Sequence, residues 1–307
     1  MSIQTDAPLD GSPPQTGSLV FLGTGISGIA QITTEAELYI RNAEIVFYHA
    51  TSDVMAAHIA TLNNNLVDLF KYYGENKKRR TTYVQMAELI LREMRKGKRV
   101  VAAFHGHPGF LVMAVRRASA IARSEGFQVR ILPGISSVDC MVADLFIDPG
   151  MFGLQIVKAG SYLRGNALLA KSGHVALLQV DSVGDTTYSF TGYKHHQVDV
   201  LFDKLIDEYG GQQEAVFYTA SRLPGTEAVI RKQLLSDFRG SSATATIGTG
   251  ILYIPPQGLT LESVLQRQAF RNRDPYGEFE RRALQQLDEQ ETLPISNISQ
   301  SAATTVS

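Results

Sequence analysis

The sequence predicts an α/β protein built from two α/β domains, and three observations predict it. Short apolar runs alternate with stretches of helical length from Ser18 to Leu145; two runs end in glycine and proline turns, Gly106-His-Pro-Gly109 and Pro133-Gly-Ile-Ser-Ser137; the spacing turns irregular after Asp148-Pro-Gly150. Strands alternating with helices of about 10 to 15 residues give a parallel sheet covered on both faces. The irregular half implies a second domain with a mixed sheet, closing over the first. We expect a loose arm at 1–17, an N-terminal domain at 18–148, a C-terminal domain at 149–256, and a helical extension with a disordered tail at 257–307.

Taken in order, Ser18 to Leu22 is an apolar strand leading into Gly23-Thr-Gly-Ile-Ser-Gly28, and Ile32-Thr-Thr-Glu35 offers a helix start with an acidic first turn. A glycine-rich turn there invites a dinucleotide reading, but the acidic residue expected about 20 residues on is missing. Glu44 to Tyr48 is the next strand, Val54 to Leu62 a helix, and Leu66 to Phe70 a short extended segment. Val84 to Lys96 reads as an amphipathic helix and Val100 to Phe104 as a fully buried strand. Met113 to Glu125 and Val138 to Leu145 read as helices flanking the strand Gln128 to Leu132. In the second half, Leu154 to Val157, Val175 to Val180, Ala215 to Tyr218 and Gly250 to Ile254 read as strands, Val198 to Tyr209 as a helix, and Gly225 to Leu235 as mixed.

The 307 residues suffice for two domains and a large core, with 44% apolar side chains and a formal net charge of −1. Binders of nucleic acid or anionic membranes normally carry a basic excess, so neither is an expected partner. A small or peptide-like substrate fits better. The single cysteine, Cys140, permits no internal disulfide, which suits a reducing cytoplasm. No stretch approaches the ~18 apolar residues of a membrane span, and residues 1–17 lack the order of a signal peptide. His49 and His195-His196 have no carboxylate or thiol in ligand spacing, so no metal is expected.

Two passages carry candidate chemistry. Gly106 and Gly109 let a ligand approach the backbone, and Pro108 fixes the turn, at the carboxyl end of a buried strand where open parallel sheets collect ligands. Tyr72-Tyr-Gly-Glu-Asn-Lys-Lys-Arg-Arg-Thr-Thr-Tyr83 sets four adjacent cations between tyrosines. It reads either as a solvated basic loop or as phenols and a guanidinium converging on a group whose negative charge they hold.

His105-Gly-His-Pro-Gly109, Leu132-Pro-Gly-Ile-Ser-Ser137 and Leu252-Tyr-Ile-Pro-Pro256 resemble the tetrapyrrole methylase superfamily. Tyr72-Tyr73, Arg79, Thr82-Tyr-Val-Gln-Met86, Phe104 to Gly109 and Ala143-Asp-Leu145 are more specifically similar to the borosin peptide backbone N-methyltransferases, and the resemblance runs from about Gly17 to Pro256. It implies S-adenosylmethionine in a cleft between two α/β domains, against His105, Gly106, His107, Pro108, Gly109 and Phe110, against Ser136 and Ser137, and near Gln179, Ala220, Thr249 and Gly250. It implies Tyr73, Arg79 and Tyr83 as the catalytic group, and a homodimer. His105 departs from the family, where a tyrosine is expected in the fungal relatives. The polar residues after Pro256 also depart from a long clasp and apolar peptide core, so a separate precursor peptide is favoured over self-methylation.

An amide nitrogen is a poor nucleophile because its lone pair is shared with the carbonyl. On this reading Tyr83 or Tyr73 takes the proton, Tyr83 being preferred, the other donates to the carbonyl oxygen where charge builds up, and Arg79 supports both and favours the phenolate. Two other functions remain open: methylation of a corrinoid or porphyrin precursor by the same cleft, and a nucleotide-binding regulatory module built on Gly23 to Gly28.

Overall fold

A computed structural model describes residues 16–193, 197–238, 250–269 and 277–291. The described residues through Thr260 form one compact unit that holds both sheets, and those from Leu261 form a second, carrying the helices Leu261–Ala269 and Glu278–Glu291.

Ser18–Gly23 (β1), Ile45–His49 (β2), Leu66–Asp68 (β3), Arg99–Phe104 (β4) and Gln128–Ile131 (β5) make an all-parallel sheet in the order β3-β2-β4-β1-β5. The period-two alternation of β4 explains its unbroken apolar run. Val100, Ala102 and Phe104 join the core beneath Arg79–Arg95 (α3) and Met113–Ser124 (α4), while Val101 and Ala103 join the core beneath Thr34–Asn42 (α1) and Asp53–Leu62 (α2). The helix starts follow from capping: the Thr33 hydroxyl accepts from the Ala36 amide at 3.1 Å and the Ser52 hydroxyl from the Met55 amide at 3.3 Å. Ser137–Asp144 (α5) begins with a capping box between Ser136 and Asp139.

Gly23 and His49 both pair with Phe104, so three strands end at one level and their loops share an edge. A Cβ on Gly23 would stand 2.1 Å from the Gly106 carbonyl oxygen, and one on Gly134 would stand 3.1 Å from that same oxygen. The Gly106 amide, at φ +73°, donates to the Gly25 carbonyl at 2.9 Å. Three loops therefore cross at backbone contact distance, which only residues without side chains permit.

After the short helices Pro149–Phe152 (α6) and Ala159–Leu163 (α7), the second sheet runs β6-β7-β10-β8-β9. Its strands are Leu154–Lys158 (β6), His174–Leu178 (β7), Glu214–Thr219 (β8), Val229–Leu234 (β9) and Ile251–Ile254 (β10), with only β6 and β7 parallel. Val198–Tyr209 (α8) packs on it, with Phe202 stacked on Phe238 at a centroid distance of 5.0 Å.

Two differences from the sequence reading matter. The helix expected from Val84 begins at Arg79, because the preceding segment is tied across the chain: the Asn76 amide donates to Tyr188, the Tyr188 amide to Lys77, and the Arg79 amide to Thr186. The mixed stretch near 225–235 contains the edge strand β9, whose polar residues Arg231, Lys232 and Gln233 are exposed, hiding the alternation. Residues 1–15 of the expected arm, those after Glu291 in the expected tail, Thr249 and His195-His196 lie outside the described residues.

Candidate active site

A cavity of about 390 Å³ lies over the carboxyl edge of the parallel sheet and takes its walls from both sheets. One side is built by Thr51, His105 to His107, Phe110, Leu111, Ser136 and Ser137; the other by Leu178, Gln179, Asp181, Ser182, Tyr218 to Ala220, Gly250 and Ile251. Arg79 and Tyr83 of α3, with Tyr193 and Arg222, complete it. A second hollow of about 210 Å³ shares Tyr83, His105, Phe110, Leu111 and Gln179 with it and reaches Tyr73 and His49.

Of the residues singled out from sequence, Arg79, Tyr83, His105, Gly106, His107, Phe110, Ser136, Ser137, Gln179, Ala220 and Gly250 line the larger cavity, and Tyr73 lines the smaller. Pro108 and Gly109 line neither. Pro108 is buried, with its Cδ 3.0 Å from where a Cβ of Gly23 would be, and the Gly109 amide donates to His107 Nδ1 at 2.9 Å. Both shape the loop from behind.

The helical start at Arg79 brings the basic passage to the cavity. Arg79 and Tyr83 are four residues apart on α3, hence on one face, where a loop would have left their relation undefined. Tyr73, in the turn after a short 3-10 segment, meets Tyr83 edge to face at 6.3 Å and Tyr188 at 4.4 Å. Arg79 is held elsewhere than expected: its guanidinium carbon sits 4.9 Å from the Tyr193 ring centroid, Nη1 donates to the Tyr193 hydroxyl at 3.4 Å, and Nη2 donates to the Asp185 carbonyl. No hydrogen bond joins it to Tyr73 or Tyr83 among the described residues. Tyr193, Tyr188, Asp181, Tyr218 and Arg222 were missed from sequence; the Tyr-Ser-Phe-Thr-Gly-Tyr run from Tyr188 to Tyr193 was the available signal.

Burial, with Tyr83 beside it, pushes the Tyr73 phenol well above its ordinary range, so it stays a hydrogen-bond donor. Burial also raises Tyr193, against the pull of Arg79. Burial, then the charge of Arg222 and the neighbouring His49, push His105 down to about 4; its Nδ1 lies 3.1 Å from the Thr51 hydroxyl. His49 is lowered by burial too, with Asp68 pulling the other way. The two imidazoles are therefore neutral near pH 7, and the positive charge on the cavity wall comes from Arg79 and Arg222.

Where a cofactor would lie, Gln179 holds a left-handed φ of 60° and its Oε1 is buried without a hydrogen-bond partner among the described residues. Leu111 is also left-handed at φ 57°. Such backbone strain clusters at ligand sites. An orphaned acceptor on the wall fits a ligand that donates hydrogen bonds. The Gly23 to Gly28 loop offers no phosphate cradle, because Gln31 Oε1 already accepts from the Ile26 and Ser27 amides at 2.8 and 2.9 Å.

Residues 18–234 match the family model described as Tetrapyrrole (Corrin/Porphyrin) Methylases. The chain belongs to the tetrapyrrole methylase family. This tetrapyrrole methylase is 41% identical over 244 residues to the methyltransferase/ribosomally synthesized cyclic peptide omphalotin A precursor of Omphalotus olearius, across 79% of this chain and 58% of that protein. It is 35% identical over 298 residues to the methyltransferase/ribosomally synthesized type I borosin cyclic peptide precursor of Coprinopsis marcescibilis, across 90% of this chain and 76% of that protein. It thus falls in the borosin branch of the family, while spanning less than two thirds of the omphalotin A relative. The crystal structure of uroporphyrin-III-C-methyltransferase from Thermus thermophilus shares the tetrapyrrole methylase fold with a TM-score of 0.55 at 15% identity, covering 84% of this chain and 98% of that one. Among the described residues no helix is long and apolar enough to cross a membrane.

Proposed function

We propose that this chain methylates backbone amide nitrogens of a peptide, using S-adenosylmethionine. The observation that carries the reading is the convergence of a guanidinium and two phenols, Arg79, Tyr83 and Tyr73, on two joined cavities, in a chain whose relatives are named as methyltransferases and cyclic peptide precursors at once. His105 to His107, Phe110, Ser136, Ser137, Gln179, Ala220 and Gly250 would hold the cofactor, with the unpartnered Gln179 Oε1 as one acceptor. S-adenosylmethionine supplies, when bound, a methyl group on a positively charged sulfur.

The protein's own part is to make the amide nitrogen nucleophilic. Tyr83, four residues from Arg79 along α3 and acting as the phenolate, takes the N–H proton and becomes the phenol. Tyr73, kept protonated by burial, donates to the carbonyl oxygen as imidate charge develops there. Arg79, fixed by Tyr193 and the Asp185 carbonyl, offsets that charge from a set position without reorganising. The peptide is a separate precursor reaching a homodimeric enzyme in the cytoplasm. The joined names of the relatives favour a second reading, methylation of the chain's own C-terminal residues, which the intact mass of the expressed protein decides. Calorimetry should give binding of S-adenosylhomocysteine and none of NAD, and labelled methyl should pass to peptide. Transfer to a porphyrinogen and not to any peptide would overturn the proposal.

A further inference from the structure

Next to the active cavity lies another of about 330 Å³, and Arg79, Gln179 and Ser182 line both. Its remaining walls include Lys158 and Arg164, which flank α7, and the loop from Val183 to Thr186. Gly160 makes the space: a Cβ there would stand 3.3 Å from Arg164 Nη1.

The charges around it are unbalanced. Partial burial first, then the charges of Arg79, Arg164 and Arg116, oppose the positive charge of Lys158, although Lys158, Arg164 and Arg116 each keep an exposed side. Asp185 is the only carboxylate among the described lining residues, and its Oδ1 accepts from the Thr187 amide at 2.8 Å and the Thr187 hydroxyl at 2.7 Å. Lys158, Arg164 and Arg116 have no carboxylate partner among the described residues. Several cations elsewhere are paired, Arg95 with Glu125 and Glu88, Lys96 and Lys98 with Glu93, Arg99 with Glu44 and Arg130 with Glu35, and what sets this group apart is that Arg79, Lys158 and Arg164 line one cavity. Like charges held together without a counter-charge oppose folding, and a bound anion relieves the repulsion.

We propose that this cavity binds a carboxylate of the peptide substrate, an aspartate or glutamate side chain close in sequence to the methylated amide. The inference rests on the peptide reading above. A peptide is the occupant because the cavity adjoins the catalytic one and shares Arg79, Gln179 and Ser182 with it, within reach of a side chain next to the reacting amide. A chain whose amide sits beside Tyr83 passes the guanidinium and places a neighbouring side chain among Lys158, Arg164 and Arg116. Lysine and arginine side chains supply the donors, in the forked and point-charge geometries that suit carboxylates.

The test uses the full chain and end-blocked hexapeptides of glycine, alanine and valine, with one glutamate placed at each position in turn, and the same set with glutamine. Peptides carry an uncharged dye for anisotropy, and methyl transfer is followed in parallel. The best glutamate peptide should bind about tenfold more tightly than its glutamine twin, a preference that shrinks as salt rises. Lys158→Met and Arg164→Met should each cut that preference to about twofold or less. Their S-adenosylhomocysteine affinity should be unchanged, which reports an intact fold. Lys158→Glu should abolish the preference, leaving glutamate and glutamine peptides bound alike. Equal binding of glutamate and glutamine peptides by the unaltered protein would overturn the inference, while their methylation would still uphold the peptide reading. Binding of inorganic phosphate alone that depends on Lys158, with no glutamate preference, would overturn it in favour of a free-anion site.

Discussion

Among the residues of the cavity wall, Arg79 has the most defined surroundings, and they are not those its neighbours in sequence suggest. Because Tyr193 and the Asp185 carbonyl hold it, Tyr193→Leu should slow methyl transfer about tenfold by loosening the guanidinium, whereas Arg79→Met should cost about a hundredfold or more in turnover. Single-turnover rates with saturating cofactor check both. His105 gives a pH signature. Its folded pKa of about 4 lies below the ordinary 6.5, so the unfolded chain binds more protons between those values. Its contribution to stability is complete above 6.5 and lost as pH falls through that window. Urea unfolding at about pH 7.5 and about pH 5 should show the native protein losing roughly 2 kcal/mol more than His105→Gln.

Elements explain why those residues meet. The crossing of the loops at Gly23, Gly106 and Gly134 fixes the floor of the cavity, and glycine is required at Gly23 and Gly134 for contact distance and at Gly106 for its φ of +73°. Gly23→Ala, whose methyl would lie 2.1 Å from a backbone oxygen, should cost about 3 kcal/mol or more in urea unfolding. Gly28→Ala is the contrast: its methyl would meet nothing nearer than Pro224 Cδ at 3.6 Å, and only its φ of +51° opposes it, at about 1 kcal/mol. The strand-and-helix order of the first sheet was readable from residues 18–145, because a doubly covered parallel strand is apolar throughout, as Val100 to Phe104 is. The start of α3 was not readable. No side chain caps it; it begins where Thr186 accepts the Arg79 amide, a contact more than a hundred residues distant in sequence. For the same reason Tyr193 was invisible as the partner of Arg79, while Arg79 and Tyr83 themselves could be singled out because aromatic and basic residues crowd the 72–83 passage.

At the scale of the molecule, the cavity depends on two sheets of different construction staying in register across it. One link is explicit: the Tyr218 hydroxyl, from the mixed sheet, donates to Asp144 Oδ2 at 2.6 Å, at the end of α5, the helix that follows the last strand of the parallel sheet. Tyr218→Phe removes a hydrogen bond to a carboxylate and should weaken S-adenosylhomocysteine binding about tenfold in calorimetry, with the fold retained. A net charge of −1 on the whole chain gives the molecule no general affinity for polyanions, and the proposed preference for an acidic peptide rests on the local cations Arg79, Lys158 and Arg164. The most direct test of the account is to supply isotopically labelled S-adenosylmethionine and a peptide substrate, and to locate the transferred methyl by fragmentation mass spectrometry. The account predicts label on backbone nitrogens in the unaltered protein and at least a hundredfold less of it in Tyr83→Phe with cofactor binding preserved. Label confined to side chains, or undiminished transfer by Tyr83→Phe, would contradict it.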